Sequence, residues 1–255
     1  MRVIALANQK GGVGKTTTAV NLAAGLAQLG HDTILIDCDP QANATTGVGY
    51  YEADMTDPLR ESSYKLFTEK ARLEDVSVDT QFPNLKLVRA TKHLSGLEVE
   101  LVDVDSREQR LKISIDSSKM RPEFAILDTP PSLGLITINC LVAADEVVIP
   151  VQCEFLSLAG IARLTETVKT IQSGPNPMLR VTGVVATMFD GRTNLAREVL
   201  DELGHHFPGL LFKTPIPRSV RLAEAPSYGV PVVEYAPDNP GAQAYIDLCK
   251  EVLAR

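Results

Sequence analysis

Short apolar runs alternate with longer segments of helical period along the chain. The runs Val3–Ala7, Thr33–Asp37, Leu85–Arg89, Phe124–Asp128, Glu146–Val151 and Val181–Thr187 are largely apolar and bounded by turn-forming residues. Period alone does not separate such runs from buried helix, but the turn-rich flanks favour strands. Between them, Thr16–Leu29 is rich in Ala and Leu and stops at Gly30, a helix C-cap signal. Ile161, Leu164, Val168 and Ile171 fall on one helical stripe, and Tyr245, Leu248, Cys249 and Val252 form another near the C-terminus. Residues 50–80 are polar and irregular, which predicts an excursion outside the sheet with a short helix around Leu59–Glu69. The alternation predicts an α/β fold: one domain over residues 1–255, with a twisted, mainly parallel sheet and helices on both faces.

Composition narrows the class without naming a function. The 255 residues are 44% hydrophobic, 22% charged and 5% aromatic, an ordinary globular balance that excludes collagen, low-complexity disorder and a disulfide-dense mini-protein. The net charge of −7 opposes a protein that coats nucleic acid by bulk charge. Residues 160–225 nevertheless hold eight Lys and Arg against six Asp and Glu, so a local basic face is allowed. Cys38, Cys140, Cys153 and Cys249 are widely spaced and contain no C-x-x-C, which predicts reduced, packed thiols. No apolar run approaches the ~18 residues of a membrane span. Residues 1–8 lack a signal peptide's charged start and long apolar stretch, so a cytoplasmic protein is expected.

The chemistry begins after the first run, at Asn8-Gln9-Lys10-Gly11-Gly12-Val13-Gly14-Lys15-Thr16-Thr17. Glycines let backbone N–H groups turn inward around an anion, and the following helix presents its N-terminal dipole to the same place. Lys15 can reach nucleotide phosphates, and the Thr16 hydroxyl can ligate Mg²⁺. The common pattern has Gly about six residues before the lysine. Here Gln9 stands there and Lys10 follows at once. A second lysine at the front of the loop is either a solvated surface charge or one aimed at the phosphates of a nucleotide in a facing subunit.

Acids end two further runs. Asp37 and Asp39 precede Pro40, and Asp128 follows Phe124–Leu127. Ligands of open α/β sheets lie outside the carboxyl ends of the strands. Carboxylates there can orient water or support a Mg²⁺ shell, and phosphoanhydride hydrolysis needs an aligned water more than covalent chemistry from the protein. Asp128, in register after a phosphate loop, reads as a Walker B acid acting on Mg²⁺ through a water or through Thr16.

The loop Lys10-Gly11-Gly12-Val13-Gly14-Lys15-Thr16 resembles the deviant Walker A motif of the ParA/MinD family of P-loop ATPases, most closely the Soj-type chromosome-partitioning ParA proteins. Asp37–Thr45, Leu127–Ser132, Pro150–Glu154 and Pro217–Pro226 match the same family, so the resemblance covers nearly the whole chain. It implies an ATPase with ATP and Mg²⁺ as cofactors. Lys10, Lys15 and Asp39 would be catalytic, with Lys10 acting in trans across an ATP-sandwich homodimer and Asp39 positioning the water. Gly11, Gly12, Val13, Gly14 and Thr17 would join the two lysines and Thr16 around the phosphates. Thr16, Asp37 and Asp128 would serve the metal, with Asp37 also supporting loop geometry. The base would lie against Pro215-Ile216-Pro217, with Met188 as another wall.

The same resemblance implies a basic surface for double-stranded DNA of any sequence, carried by Arg192, Arg218 and Arg221, with Arg163, Lys169 and Lys213 as outer candidates. Such binding rests on phosphate contacts and weakens with salt. A ParB-type centromere-binding partner would stimulate hydrolysis, and the protein would be nucleoid-associated. No helix-turn-helix segment precedes the loop, so operator reading by that route is not expected. A ParA-like positioner of another cargo shares every one of these motifs. A MinD-like membrane-cycling regulator would need a basic amphipathic tail, whereas Leu248–Arg255 mixes signs and continues a packed stripe. A redox relative of the nitrogenase iron protein would need a bridging cysteine pair, and Cys140 and Cys153 do not match that arrangement.

Overall fold

The computed structural model describes residues 1–69, 71–154 and 157–255. Its strands are β1 (Arg2–Leu6), β2 (Thr33–Asp37), β3 (Ser77–Asp79), β4 (Leu85–Val88), β5 (Phe124–Asp128), β6 (Glu146–Gln152) and β7 (Arg180–Thr187). They form one sheet in the order β3-β4-β2-β5-β1-β6-β7. All pairings are parallel except β3 with β4. The six strands predicted from the apolar runs are present, with ends moved by one residue in β1, β4, β6 and β7. The edge strand β3 is an addition. Its three residues are half-buried or exposed, so no apolar run marked it.

The central strands are buried on both faces, which is why they read as continuous apolar runs. Alternate residues feed two cores. Val3, Ala5, Ala125 and Leu127 pack with the helices Arg110–Ser117, Leu135–Ala143 and Ser157–Gln172. Ile4, Leu6, Phe124 and Ile126 pack with the helices Lys15–Gln28 and Pro240–Leu253. Each Val, Leu, Ile or Phe among them contributes about 1.5–3 kcal/mol when fully buried. The predicted stripes Ile161/Leu164/Val168/Ile171 and Tyr245/Leu248/Cys249/Val252 are buried. The Lys15–Gln28 helix ends as expected: Gly30 is left-handed (φ +95°), and the His31 N–H closes on the Leu26 carbonyl at 3.1 Å. In the excursion only Tyr64–Thr68 of the expected Leu59–Glu69 helix forms. Leu59 is exposed, and Arg60 N closes a turn on Asp57 O across Pro58, so the first half gains no burial as helix.

Register brings the functional ends together. Leu6 of β1 and Asp37 of β2 both pair with Asp128 of β5, so the carboxyl ends of the three central strands are level. The Lys15–Gln28 helix is clamped behind them by the Pro240–Leu253 helix. Thr18 Oγ1 lies 3.2 Å from the hydroxyl of buried Tyr245. The two helices approach so closely at Gly25 that a Cβ there would stand 2.6 Å from Cys249 Sγ. Gly25→Val therefore overpacks this contact and should cost about 1–3 kcal/mol, read as a lower thermal midpoint. Adding Cys249→Ala makes room, so the double variant should melt above Gly25→Val; equal or lower melting would contradict this packing.

Candidate functional site

The loop between β1 and the Lys15–Gln28 helix is shaped by groups at the ends of neighbouring strands. The buried Asn8 amide donates to the Pro150 carbonyl at 2.7 Å, and its Oδ1 accepts from Lys10 N at 3.0 Å. The Thr187 hydroxyl donates to Val13 O at 2.8 Å, and the Thr129 hydroxyl to Leu6 O at 2.7 Å. Gly12 and Gly14 take left-handed φ values of +73° and +83°, which other residues adopt only under strain. The loop opens onto a helix start, where the first N–H groups have no intrahelical partner and attract anions.

Lys15 is buried, with its Nζ 3.2 Å from the Lys10 carbonyl. Burial lowers its pKa, opposed by the nearby charges of Asp128 and Asp39. An ammonium held in so dry a position is a strong attractor for phosphate. Lys10 is different. Its side chain is 36% exposed, and its Nζ stands 4.0 Å from a Glu154 carboxylate oxygen beyond the end of β6.

The three acids converge but are not equivalent. Asp37 is fully buried, and its oxygens are spent on the protein: Oδ1 accepts from Asp39 N (3.0 Å), and Oδ2 from both Thr45 N and Thr45 Oγ1 (2.8 Å each). Burial pushes its pKa up to about 6, against the opposing effect of those hydrogen bonds. Asp39 is 6% exposed, and its Oδ1 accepts from Gln41 N at 2.9 Å. Asp128 is fully buried, and among the described residues neither carboxylate oxygen has a hydrogen-bond partner. Burial and the charge of Asp37 drive its pKa well above the usual carboxylate range. The Thr16 hydroxyl is close enough to favour the ionised form, though it completes no hydrogen bond to Asp128. Buried polar atoms are nearly always paired, so this carboxylate is shaped to receive something. Among the described residues no group of three or more acidic, His or Cys side chains gathers to enclose a metal. A cation at Asp128 and Thr16 would thus draw its remaining ligands from outside the protein. That fits Mg²⁺, which keeps waters and phosphate oxygens and takes few protein ligands.

Beside the loop lies a cavity of about 250 Å³ whose apolar walls include Met188, Ile216, Pro217 and Leu222, with Gly14, Thr17 and Thr187 also lining it. Pro215, expected here, is not among the lining residues. The 216–218 segment is zipped to the end of β7: Ile216 N donates to Ala186 O (2.8 Å), Phe189 N to Ile216 O (3.0 Å) and Arg218 N to Phe189 O (3.1 Å). Met188 sits at the kink with a left-handed φ of +52°, an uncommon conformation for a side-chain-bearing residue. A larger cleft of about 510 Å³, lined by Asp32, Asn84 and Pro122 among others, lies at the amino ends of β2, β4 and β5. It is at the opposite end of the sheet from the orphaned carboxylate, so chemistry rather than volume locates the site.

The expected basic residues are exposed but differently engaged. Arg192 is held bidentately by Asp190, at 2.8 and 2.7 Å. This pairing lowers Asp190 to a pKa of about 2, and the charge of Arg218 acts in the same direction. Arg221 pairs with Glu224 at 2.9 Å. Arg192 and Arg218 thus meet around Asp190, whereas Arg163 and Lys169 lie on the separate Ser157–Gln172 helix and Lys213 lies near Glu251, whose carboxylate accepts from its backbone N–H. Sequence reasoning did not single out Asn8, Thr129 or Thr187, and it assigned no role to Thr45. Asn8, Thr129 and Thr187 share one signal, a small polar residue just beyond, or at the last position of, a buried run, whereas Thr45 lies within the short helix Asn43–Gly47.

Comparison with known proteins gives the same picture. A family model described as an AAA domain matches residues 1–181. The chain is 47% identical over 253 residues to the sporulation initiation inhibitor protein Soj of Bacillus subtilis, covering 99% of this chain and 98% of that protein. It is 42% identical to the chromosome partitioning protein ParA of Myxococcus xanthus, covering 100% of this chain and 88% of the relative. A crystal structure of cobyrinic acid a,c-diamide synthase from Mycobacterium smegmatis, with bound ATP analog and magnesium, superposes with a TM-score of 0.87 at 31% identity, covering 99% and 94% of the two chains. With its mainly parallel seven-stranded sheet, phosphate loop and converging acids, the chain belongs to the ParA/Soj-type P-loop ATPases.

Proposed function

We propose that this protein is the ATP-hydrolysing switch of a DNA-partitioning system, with its ATP-bound form a homodimer that holds non-specific DNA. The observation that carries this reading is the buried pair at the strand ends: Lys15, dry beside the loop, and Asp128, dry with both oxygens unpartnered among the described residues. The loop N–H groups and Lys15 bind the ATP phosphates. Thr16 and Asp128 hold Mg²⁺, which neutralises phosphate charge when bound. Met188, Ile216 and Pro217 flank the base. Asp39 orients the water, and Asp37 holds the Asp39 loop in place.

Lys10 is the residue left over. It is half-exposed at the mouth of the loop, and one subunit has no need of a second phosphate lysine. Reaching the nucleotide of a facing subunit gives it a role, which supports the sandwich dimer. The arginines around Asp190 and Glu224 supply phosphate contacts for DNA. A ParB-type partner stimulates hydrolysis and so releases the dimer, and the protein works in the cytoplasm on the nucleoid. Against the membrane-cycling alternative stands the Pro240–Leu253 helix, whose Tyr245, Leu248, Cys249 and Val252 are buried in the core and leave that stripe unavailable to a bilayer.

The unequal pairing of the arginines gives a graded expectation. With ATP and a random-sequence duplex, Arg218→Ala should weaken binding and reduce the salt slope by about 1. Asp190→Asn frees Arg192 and should tighten binding. A titration across salt checks both, and unchanged binding by Arg218→Ala would contradict the placement of DNA here.

Asp128 carries a cost that function explains. In the unfolded chain it loses its proton near pH 4. In the fold its pKa is raised, so the native state binds more protons above that pH and stability falls as pH rises toward the native value. Nucleotide-free Asp128→Asn should therefore melt about 3 °C or more above the parent at pH 8, with the gap narrowing toward pH 4.5, while ATP turnover is lost. Equal or lower melting at pH 8 would show that the buried charge is not the burden described.

A further inference from the structure

Between β2 and β4 the sheet opens at its functional end. Their last pair is Ile36 with Val88, and neither Asp37 nor Arg89 continues the ladder between them. Beyond that point one side chain spans the gap. The Thr45 hydroxyl accepts from Ala90 N at 2.9 Å and donates to Asp37 Oδ2 at 2.8 Å, while Thr45 N donates to the same oxygen. Thr45 is 1% exposed. A hydroxyl has one donor and can accept, and here both capacities are used.

Asp37 passes the constraint on, because its other oxygen receives Asp39 N at 3.0 Å. The Asp39 carbonyl then accepts from Ala42 N at 2.9 Å, with Ala42 held in the left-handed region (φ +53°). The chain of contacts therefore runs from the end of β4 through Thr45 and Asp37 to the backbone of Asp39. Bonds to a buried carboxylate are the stronger kind, and a β-branched side chain has few rotamers in which to drift.

We propose that Thr45 is a positioning residue for hydrolysis: it fixes Asp37, and through Asp37 the Asp39 carboxylate, without touching the nucleotide. Thr45→Val keeps the shape but orphans Ala90 N and removes one bond from Asp37. Thr45→Ser keeps the hydroxyl. The proposal rests on the reading of Asp39 as the water-orienting acid, so the experiment includes the parent and Asp39→Ala. ATP turnover, affinity for a non-hydrolysable ATP analogue and melting temperature are measured for all four proteins with Mg²⁺.

Thr45→Val should lower kcat about tenfold or more with analogue Kd within about threefold, and Thr45→Ser should restore kcat to within about threefold of the parent, because a small misplacement of a catalytic group costs rate rather than binding. Parental kcat in Thr45→Val, a Thr45→Ser variant as slow as Thr45→Val, or analogue affinity lost in step with kcat would overturn the proposal. Should Thr45→Val not fold, Thr45→Ser decides: near-parental turnover supports the relay, and about a tenfold loss of kcat at unchanged melting temperature overturns it. Failure of the underlying reading shows separately, as no turnover in the parent or full turnover in Asp39→Ala, and would remove the proposal with it.

Discussion

Everything at the functional end of this sheet answers to one constraint: carboxylates and a lysine are buried together where three parallel strands stop. Asp37 and Asp128 face each other in register, Asp39 lies two residues on, and the Lys15 ammonium is close enough to feel Asp128 and Asp39. Desolvation opposes the charges of Lys15, Asp37 and Asp128. Asp37 is compensated by three hydrogen bonds from the protein, whereas Asp128 has none among the described residues. The site is therefore left incomplete at one atom pair, and a cation with its phosphate ligands is the chemistry that completes it.

The surrounding fold makes that incompleteness tolerable. Both faces of the central strands are packed, so the strand ends have little freedom to relax. Small polar side chains then tie the loops back to the sheet: Asn8 to Pro150, Thr129 to Leu6, Thr187 to Val13 and Thr45 to Ala90. Each satisfies a backbone group at the carboxyl end of the sheet or, for Val13, in the phosphate loop. The clamp between the Lys15–Gln28 and Pro240–Leu253 helices holds the phosphate loop from behind, so the C-terminal helix serves the site although it lies far from it in sequence.

What could be read in advance follows from how local each signal is. The phosphate loop was legible because glycines, lysine and threonine at fixed offsets act through their own backbone. The strands were legible because burial on both faces leaves continuous apolar runs, and the acids because they end those runs. Edge strand β3 was not, since its residues gain little burial. Nor was the division of labour between Asp37 and Asp128, which depends on Thr45 bonding one while no described group completes a hydrogen bond to the other. The pairing of Arg192 with Asp190, two residues apart, was visible as letters, but Arg218 joins them only because its segment is zipped onto β7. Pro215 shows the limit of a carried-over position: its neighbours Ile216 and Pro217 line the cavity, and it does not.

In the proposed cycle, bound ATP, and not the empty or ADP-bound site, joins two chains through the face that carries Lys10. The most direct measurement is the solution mass of Asp39→Ala by sedimentation, with Mg²⁺ and with ATP, ADP or no nucleotide. The mass of two chains is expected with ATP and of one chain in the other two conditions. A single-chain mass with saturating ATP would contradict it.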